Sequence, residues 1–125
     1  DRYNYRQKTK EIVEETMKIS SSYMFFNRAF PWLDTFFELG GEKHPAQFIV
    51  MPAGSQWKLR AVPPSYEDRM NVRKPLPERW AGLHGKDLED ASGLKGAVFC
   101  HKGLFISIWE TKEAALKALE IALKD

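Results

Sequence analysis

The sequence is 125 residues long, 43% hydrophobic and 13% aromatic, with 19 basic and 17 acidic side chains and a formal net charge of +2. That size and composition describe one globular domain, and they exclude an intrinsically disordered chain. The near-balanced charge removes any electrostatic requirement for a nucleic acid or an anionic membrane as partner.

In chain order, Asn4–Ser20 reads as a helix. Tyr5, Thr9, Ile12, Val13, Thr16 and Met17 recur at helical spacing, and Glu14 and Lys18 form an i,i+4 pair. Tyr23–Phe26 reads as a short strand. Pro31 suits the first turn of a helix ending near Leu39, with Gly40-Gly41 stopping it. A hairpin follows: Gln47–Met51 is an apolar strand, Pro52–Ser55 a turn, and Gln56–Val62 alternates. Trp57, Leu59 and Ala61 face one side there, while Lys58 and Arg60 face a side left to solvent or a partner.

Pro63–Pro77 contains four prolines and resists regular structure, as functional excursions often do. Glu78–Leu83 and Lys86–Ala91 read as short helices, with Gly93 as a C-cap. A second hairpin joins Ala97–Cys100 to Leu104–Trp109 through His101-Lys102-Gly103. Its largely apolar faces predict a central position in a sheet covered on both sides. The final helix has Thr111 as N-cap, a buried stripe of Ala115, Leu116, Leu119, Ala122 and Leu123, and the exposed pairs Glu113–Lys117 and Glu120–Lys124. The expected fold is a single α+β domain over residues 1–125. It has a mixed or antiparallel sheet of about four or five strands, with helices packed on it.

The residues carry little chemistry of their own. His44, His84 and His101 lack metal-ligand spacing, and neither a phosphate-binding glycine loop nor a nucleophile elbow occurs. The lone Cys100 permits no intrachain disulfide and reads as a small core residue, because strand alternation turns it away from His101. A single cysteine fits a reducing, cytoplasmic setting. No apolar run approaches the ~20 residues of a membrane span, so no membrane partner is expected. Two polyanion sites remain. One is the excursion bearing Tyr66, Arg69, Arg73, Lys74, Arg79 and Trp80, weighed against Glu67, Asp68 and Glu78. The other is the hairpin turn with the strand-to-helix junction Ser107–Thr111, where helix N–H groups suit an anion.

Several motifs occur together and in order. They are Gln56-Trp57-x-Leu59-x-x-Val62-Pro63, Ser65-Tyr66-x-x-Arg69 and Pro75-Leu76-Pro77-Glu78-x-Trp80-x-Gly82-Leu83. Ser92-Gly93-Leu94-x-Gly96, Val98-Phe99-x-His101 and Thr111-Lys112-Glu113-x-Ala115-Leu116 follow. This series resembles the C-terminal half of the melanocyte-proliferating-gene family, relatives of the DHH phosphoesterases, over Tyr23 to Ala122.

The resemblance implies a two-lobed, metal-dependent hydrolase, a 3′-to-5′ RNA exonuclease in some members. A divalent metal, typically manganese, would sit in an N-terminal DHH lobe that this chain lacks. The start at Asp1 rather than methionine fits such a fragment. The chain would be the substrate-gripping lobe, without a catalytic group or cofactor of its own. Its partners would be the DHH lobe and RNA or a nucleotide. Arg69, His101, Lys102, Ser107 and Thr111 are the implied substrate-binding positions. Some relatives place glycines before the threonine, whereas Ile108 and Trp109 here oppose a close backbone approach to phosphate. The alternative is a structural or assembly module that docks on the other lobe or forms a homo-oligomer.

Overall fold

A computed structural model describes residues 2–29 and 31–125, and the side chains of residues 7–29 and 31–125. Tyr5, one of the positions that recur at helical spacing in the first helix, lies outside those side chains. The elements in chain order are α1 (Arg2–Ile19), β1 (Tyr23–Phe25), α2 (Leu33–Glu38), β2 (Phe48–Ala53), β3 (Gln56–Ala61), α3 (Gly85–Ser92), β4 (Ala97–Cys100), β5 (Ile106–Trp109) and α4 (Lys112–Lys124). Short 3-10 turns occupy Gly41–Lys43 and Glu78–Trp80. The strands form one sheet in the order β1-β2-β3-β5-β4, parallel between β1 and β2 and antiparallel elsewhere. The α+β fold class and the mixed five-stranded sheet agree with the expectation.

β2 is the strand buried on both faces. Phe48 and Val50 join a cluster with Leu59, Trp109, Ala115 and Leu119 beneath α4. Ile49 and Met51 join a second cluster with Val13, Met24, Trp32 and Phe36 beneath α1 and α2. This alternation is the pleat's period of two, applied to a strand with helices on either side. The strand runs through Pro52 and Ala53, which the sequence assigned to a turn. Pro52 falls beyond β1, whose pairing ends at Phe25↔Val50, so the missing N–H removes no ladder bond on that edge. The turn shrinks to Gly54-Ser55, with Gly54 supplying the left-handed φ of 65°.

The second hairpin is not central. β3 holds the middle of the sheet, and β4 is an edge strand. Apolar residues on both faces misled the placement, because Phe99, Ile106 and Ile108 remain only half-buried. The edge is covered instead by the segment before α3: the Cys100 N–H donates to the Leu83 carbonyl at 2.9 Å, and His84 bridges Phe99. β5 starts at Ile106 rather than Leu104, because Leu104 takes the turn's left-handed φ of 60°.

α4 begins as expected, the Thr111 hydroxyl accepting from the Ala114 N–H at 3.1 Å. Its fully buried stripe is Ala114, Ala115, Ala118, Leu119 and Ala122, while Leu116 and Leu123 sit at the margins. Leu119 keeps its expected place, whereas alanines at 114 and 118 take the positions beside it and leave Leu116 and Leu123 at the sides. Gly93 caps α3 at φ 73°. No helix of the described residues is long and apolar enough to cross a membrane.

Candidate nucleic-acid interface

Residues 62–77 form no helix or strand, as their prolines require, and most of their cations are spent on holding the chain in place. Arg73 donates through Nε to the Pro63 carbonyl at 3.1 Å. Its two terminal nitrogens donate to the carbonyls of Ala46 at 2.8 Å and Gly41 at 2.7 Å, and to that of His44. The guanidinium fork thus ties the excursion to the segment after α2. Lys74 donates to the Leu123 carbonyl at 2.8 Å, closing the C-terminal end of α4, and Arg79 pairs with Asp125 at 2.7 Å. Arg79 is exposed but paired with Asp125, whereas the exposed Arg69 holds its guanidinium 4.4 Å above the Tyr66 ring.

The sheet explains what lies opposite Arg69. Direct strand partners share a face, so Ile49↔Arg60, Met51↔Lys58, Arg60↔Ile106, Lys58↔Ile108 and Phe99↔Ile108 put one row across four strands. At the β2 end, α1 and α2 cover that face. Over β3, β5 and β4 its side chains are all half-exposed. The face left to solvent or a partner is therefore real. It carries Lys58 and Arg60 amid apolar neighbours.

Burial holds the Arg60 guanidinium below its ordinary pKa. Lys58 is lowered too, first by burial and then by the Arg60 charge. Arg60 sits 5.7 Å from the Trp32 ring centre, and its buried Nε has no hydrogen-bond partner among the described residues.

The β4–β5 turn continues this face with rings. His101 lies 4.6 Å from Phe105 and 6.2 Å from Phe99, centre to centre. The Gly103 N–H donates to His101 Nδ1 at 2.9 Å, which leaves the neutral ring's proton on Nε2. Lys102 is exposed at the tip. Beside Phe105, a cavity of about 250 Å³ is lined by Arg60, Pro63, Arg69, Asn71 and Val72. A second cavity of about 410 Å³ lies against Asp34, Phe37, Glu38 and Tyr66.

Of the substrate-binding positions implied by resemblance, Arg69 shares a cavity with Phe105, whose ring packs on His101 in the turn that Lys102 tips. Thr111 lies past the other end of β5, roughly 20 Å along the strand from Phe105 at ~3.3 Å per residue. Its hydroxyl is already engaged as the α4 cap. Ser107 is fully buried on the opposite face. Its hydroxyl donates to the Leu59 carbonyl at 3.3 Å and accepts from the Trp109 indole at 2.9 Å. Arg60 and Phe105 line the cavity beside Arg69, and sequence reasoning singled out neither as a site residue. The alternation of Lys58 and Arg60 was the available signal for Arg60, but nothing local showed that the excursion and Phe105 would come together beside it.

The remaining titratable candidates have structural places. Cys100 is buried, and burial pushes its thiol up to about 11, far from a reactive thiolate. His44 bridges the Met17 carbonyl at 2.8 Å and the Ala46 N–H at 3.1 Å.

The family model described as "Uncharacterised protein family (UPF0160)", an MYG1 exonuclease model, matches residues 2–123. The chain is 48% identical to a MYG1 protein of Chlamydia pneumoniae over 99% of its own length and 43% of the relative's. It is 32% identical to a MYG1 protein of Dictyostelium discoideum, over 93% of this chain and 39% of that one. It is 30% identical to a mouse protein named MYG1 exonuclease, over 94% of this chain and 33% of the relative. The chain therefore spans about two fifths or less of the length of these relatives. No solved structure matches. Motifs running from Gln56 to Leu116 and a family match over nearly every residue agree: the chain belongs to the MYG1 family.

Proposed function

We propose that this domain is the substrate-gripping, C-terminal lobe of a DHH-type phosphodiesterase of the exonuclease kind, holding single-stranded RNA for hydrolysis. The observation that carries the reading is Arg60: a half-buried guanidinium with an unpaired Nε, on an open sheet face, sharing a cavity with Arg69. A phosphate supplies the acceptors that such a group lacks. The row Phe99–His101–Phe105 beside it offers faces on which bases stack, and single-strand binders combine these two features. The printed name of the mouse relative, an exonuclease, supports the same chemistry.

The divalent metal implied by the DHH relationship does not fit this chain's own side chains. Among the described residues no group of three or more His, Cys, Asp or Glu converges to hold an ion. In this reading the metal, manganese included, and the bond-breaking groups belong to polypeptide outside the chain. The domain contributes binding and orientation. Arg69, Arg60 and Lys102 meet the backbone, and His101 and Phe105 support a base. Ser107 drops out of the substrate-facing set because its hydroxyl is spent inside the core, and Thr111 stands apart.

Fluorescence anisotropy with a single-stranded oligoribonucleotide tests this. The chain should bind at low salt, weaken steeply as salt rises, and lose affinity on Arg69→Ala. Absence of binding at low ionic strength would sink the reading. The half-exposed Ile106 and Ile108 favour one competing role, docking of this face onto another protein surface. Self-association seen by light scattering, together with failure to bind RNA, would establish that role instead.

A further inference from the structure

We infer that the cavity between the 63–72 loop and the β4–β5 turn is a phosphomonoester site. It takes either the phosphorylated end of a strand or a free mononucleotide. The inference rests on the RNA-gripping reading and narrows it to a group. The cavity holds about 250 Å³, below the ~300 Å³ at which pockets for drug-sized ligands begin. It accommodates one phosphate with an adjoining group, not a length of strand.

Two arginines line this small space, Arg60 from β3 and Arg69 from the loop. An internal phosphodiester carries a single negative charge, whereas a monoester carries roughly −1.5 to −2 at neutral pH with three acceptor oxygens. Two guanidinium groups therefore match the monoester better in charge and in donor count.

Arg73 supplies the internal control. Folding gives its three nitrogens carbonyl partners from Pro63, His44, Ala46 and Gly41. Arg60, in the same fold and also buried in part, keeps a buried Nε with no hydrogen-bond partner among the described residues. A half-buried guanidinium with one sealed, unpaired N–H is costly unless its remaining N–H groups find strong acceptors. The apolar wall, Val72 and the partly exposed ring of Phe105, is suited to the sugar and base next to the phosphate. Asp34 and Glu38 line the larger cavity, which Tyr66 also borders, and repel an anion there, so the charge is directed to the cavity with the arginines.

The test titrates the 125-residue chain with four probes: an oligoribonucleotide ending in a phosphate, the same strand ending in hydroxyls, a nucleoside monophosphate and inorganic phosphate. The phosphate-ended strand should bind at least tenfold tighter than the hydroxyl-ended one, and the mononucleotide should displace it. Arg60→Gln and Arg69→Ala should each erase the preference. Arg69 is exposed, so its variant should keep the fold even if Arg60→Gln does not. A mononucleotide that matches the phosphate-ended strand identifies a released nucleotide as the ligand. A strand that binds several-fold tighter identifies end recognition.

Equal affinity for the two strands, or a preference that survives Arg60→Gln and Arg69→Ala, would overturn the inference while leaving RNA gripping intact. Failure of both strands at low salt, with mononucleotide still bound through Arg60, would overturn RNA gripping and keep the site.

Discussion

The Trp109 indole N–H donates to the Ser107 hydroxyl at 2.9 Å, two residues away on the same buried face of β5. The hydroxyl donates its own O–H to the Leu59 carbonyl on β3, so one serine joins the strand pair and satisfies a tryptophan at the centre of the core. Trp109 packs edge-on against Trp80 at 5.5 Å, so its orientation matters to the cluster beneath α4. Ser107→Ala leaves the indole donor unpaired and should cost about 1–3 kcal/mol of stability. Urea unfolding measures that loss. RNA affinity in the same variant should be unchanged, since the side chain faces away from the open surface.

Arg60 carries the opposite expectation. Its removal should stabilise the domain, because a half-buried cation with an unpaired donor gives up hydration without full compensation. Arg60→Met keeps the packing over Trp32, which lies 5.7 Å from the guanidinium. The variant should gain on the order of 0.5–2 kcal/mol, the range of single stabilising changes, and lose RNA affinity. A thermal melt showing Arg60→Met less stable than the parent would mean that the guanidinium is compensated by the fold itself.

These two residues show where the sequence was legible. Arg60 and Ser107 both lie on alternating strands, and alternation assigned the β3 faces correctly: Leu59 and Ala61 inward, Lys58 and Arg60 toward the open side. Helix ends were legible where a cap is local chemistry, as at Thr111 and Gly93. Strand order was not. Half-buried Ile106, Ile108 and Phe99 look as apolar as a core strand, and nothing near Ala97 reveals that Leu83 will cover its edge. The site suffered for the same reason. Arg69 was visible as a cation beside an aromatic, but its partner Arg60 comes from a strand nine residues earlier, joined through a loop whose path depends on Arg73. Ser107 was implied as substrate-facing by the resemblance and by its place in the strand-to-helix junction, and the register with Leu59 shows it turned inward.

Cys100 predicts an alkaline limit to stability. The unfolded thiol releases its proton near the ordinary 9.0, whereas the folded one holds it to about 11. Below pH 9 both states keep the proton and the residue adds no pH dependence. Between pH 9 and 11 the unfolded state alone ionises, so stability falls as pH rises, by at most about 1.4 kcal/mol per pH unit. Cys100→Ala should flatten that part of the pH–stability curve. At pH 8 the native thiol should resist a thiol-specific reagent that modifies the denatured chain at once. Rapid labelling of the native protein would contradict the buried placement.

Gly41 and Arg73 form the joint that sets the excursion in place. The Gly41 carbonyl accepts from Arg73 Nη2 at 2.7 Å, and the Gly41 backbone passes so close to α2 that a Cβ there would lie 2.6 Å from the Phe36 carbonyl oxygen and strike its ring. The Phe36 ring also lies 5.7 Å from the Arg73 guanidinium. Gly41→Ala must therefore move the segment after α2 and with it the carbonyls that Arg73 reaches. The expected cost is on the order of 2–4 kcal/mol. Arg73→Lys should cost nearly as much, because one ammonium cannot reach acceptors spread over Pro63, His44, Ala46 and Gly41. Limited proteolysis separates this local release from general unfolding: both variants should be cut first between Pro63 and Pro77 under conditions that spare the parent. Their double mutant should be less destabilised than the sum of the singles, since both changes break one joint. Strict additivity would mean that the two residues act independently and that the excursion is held elsewhere.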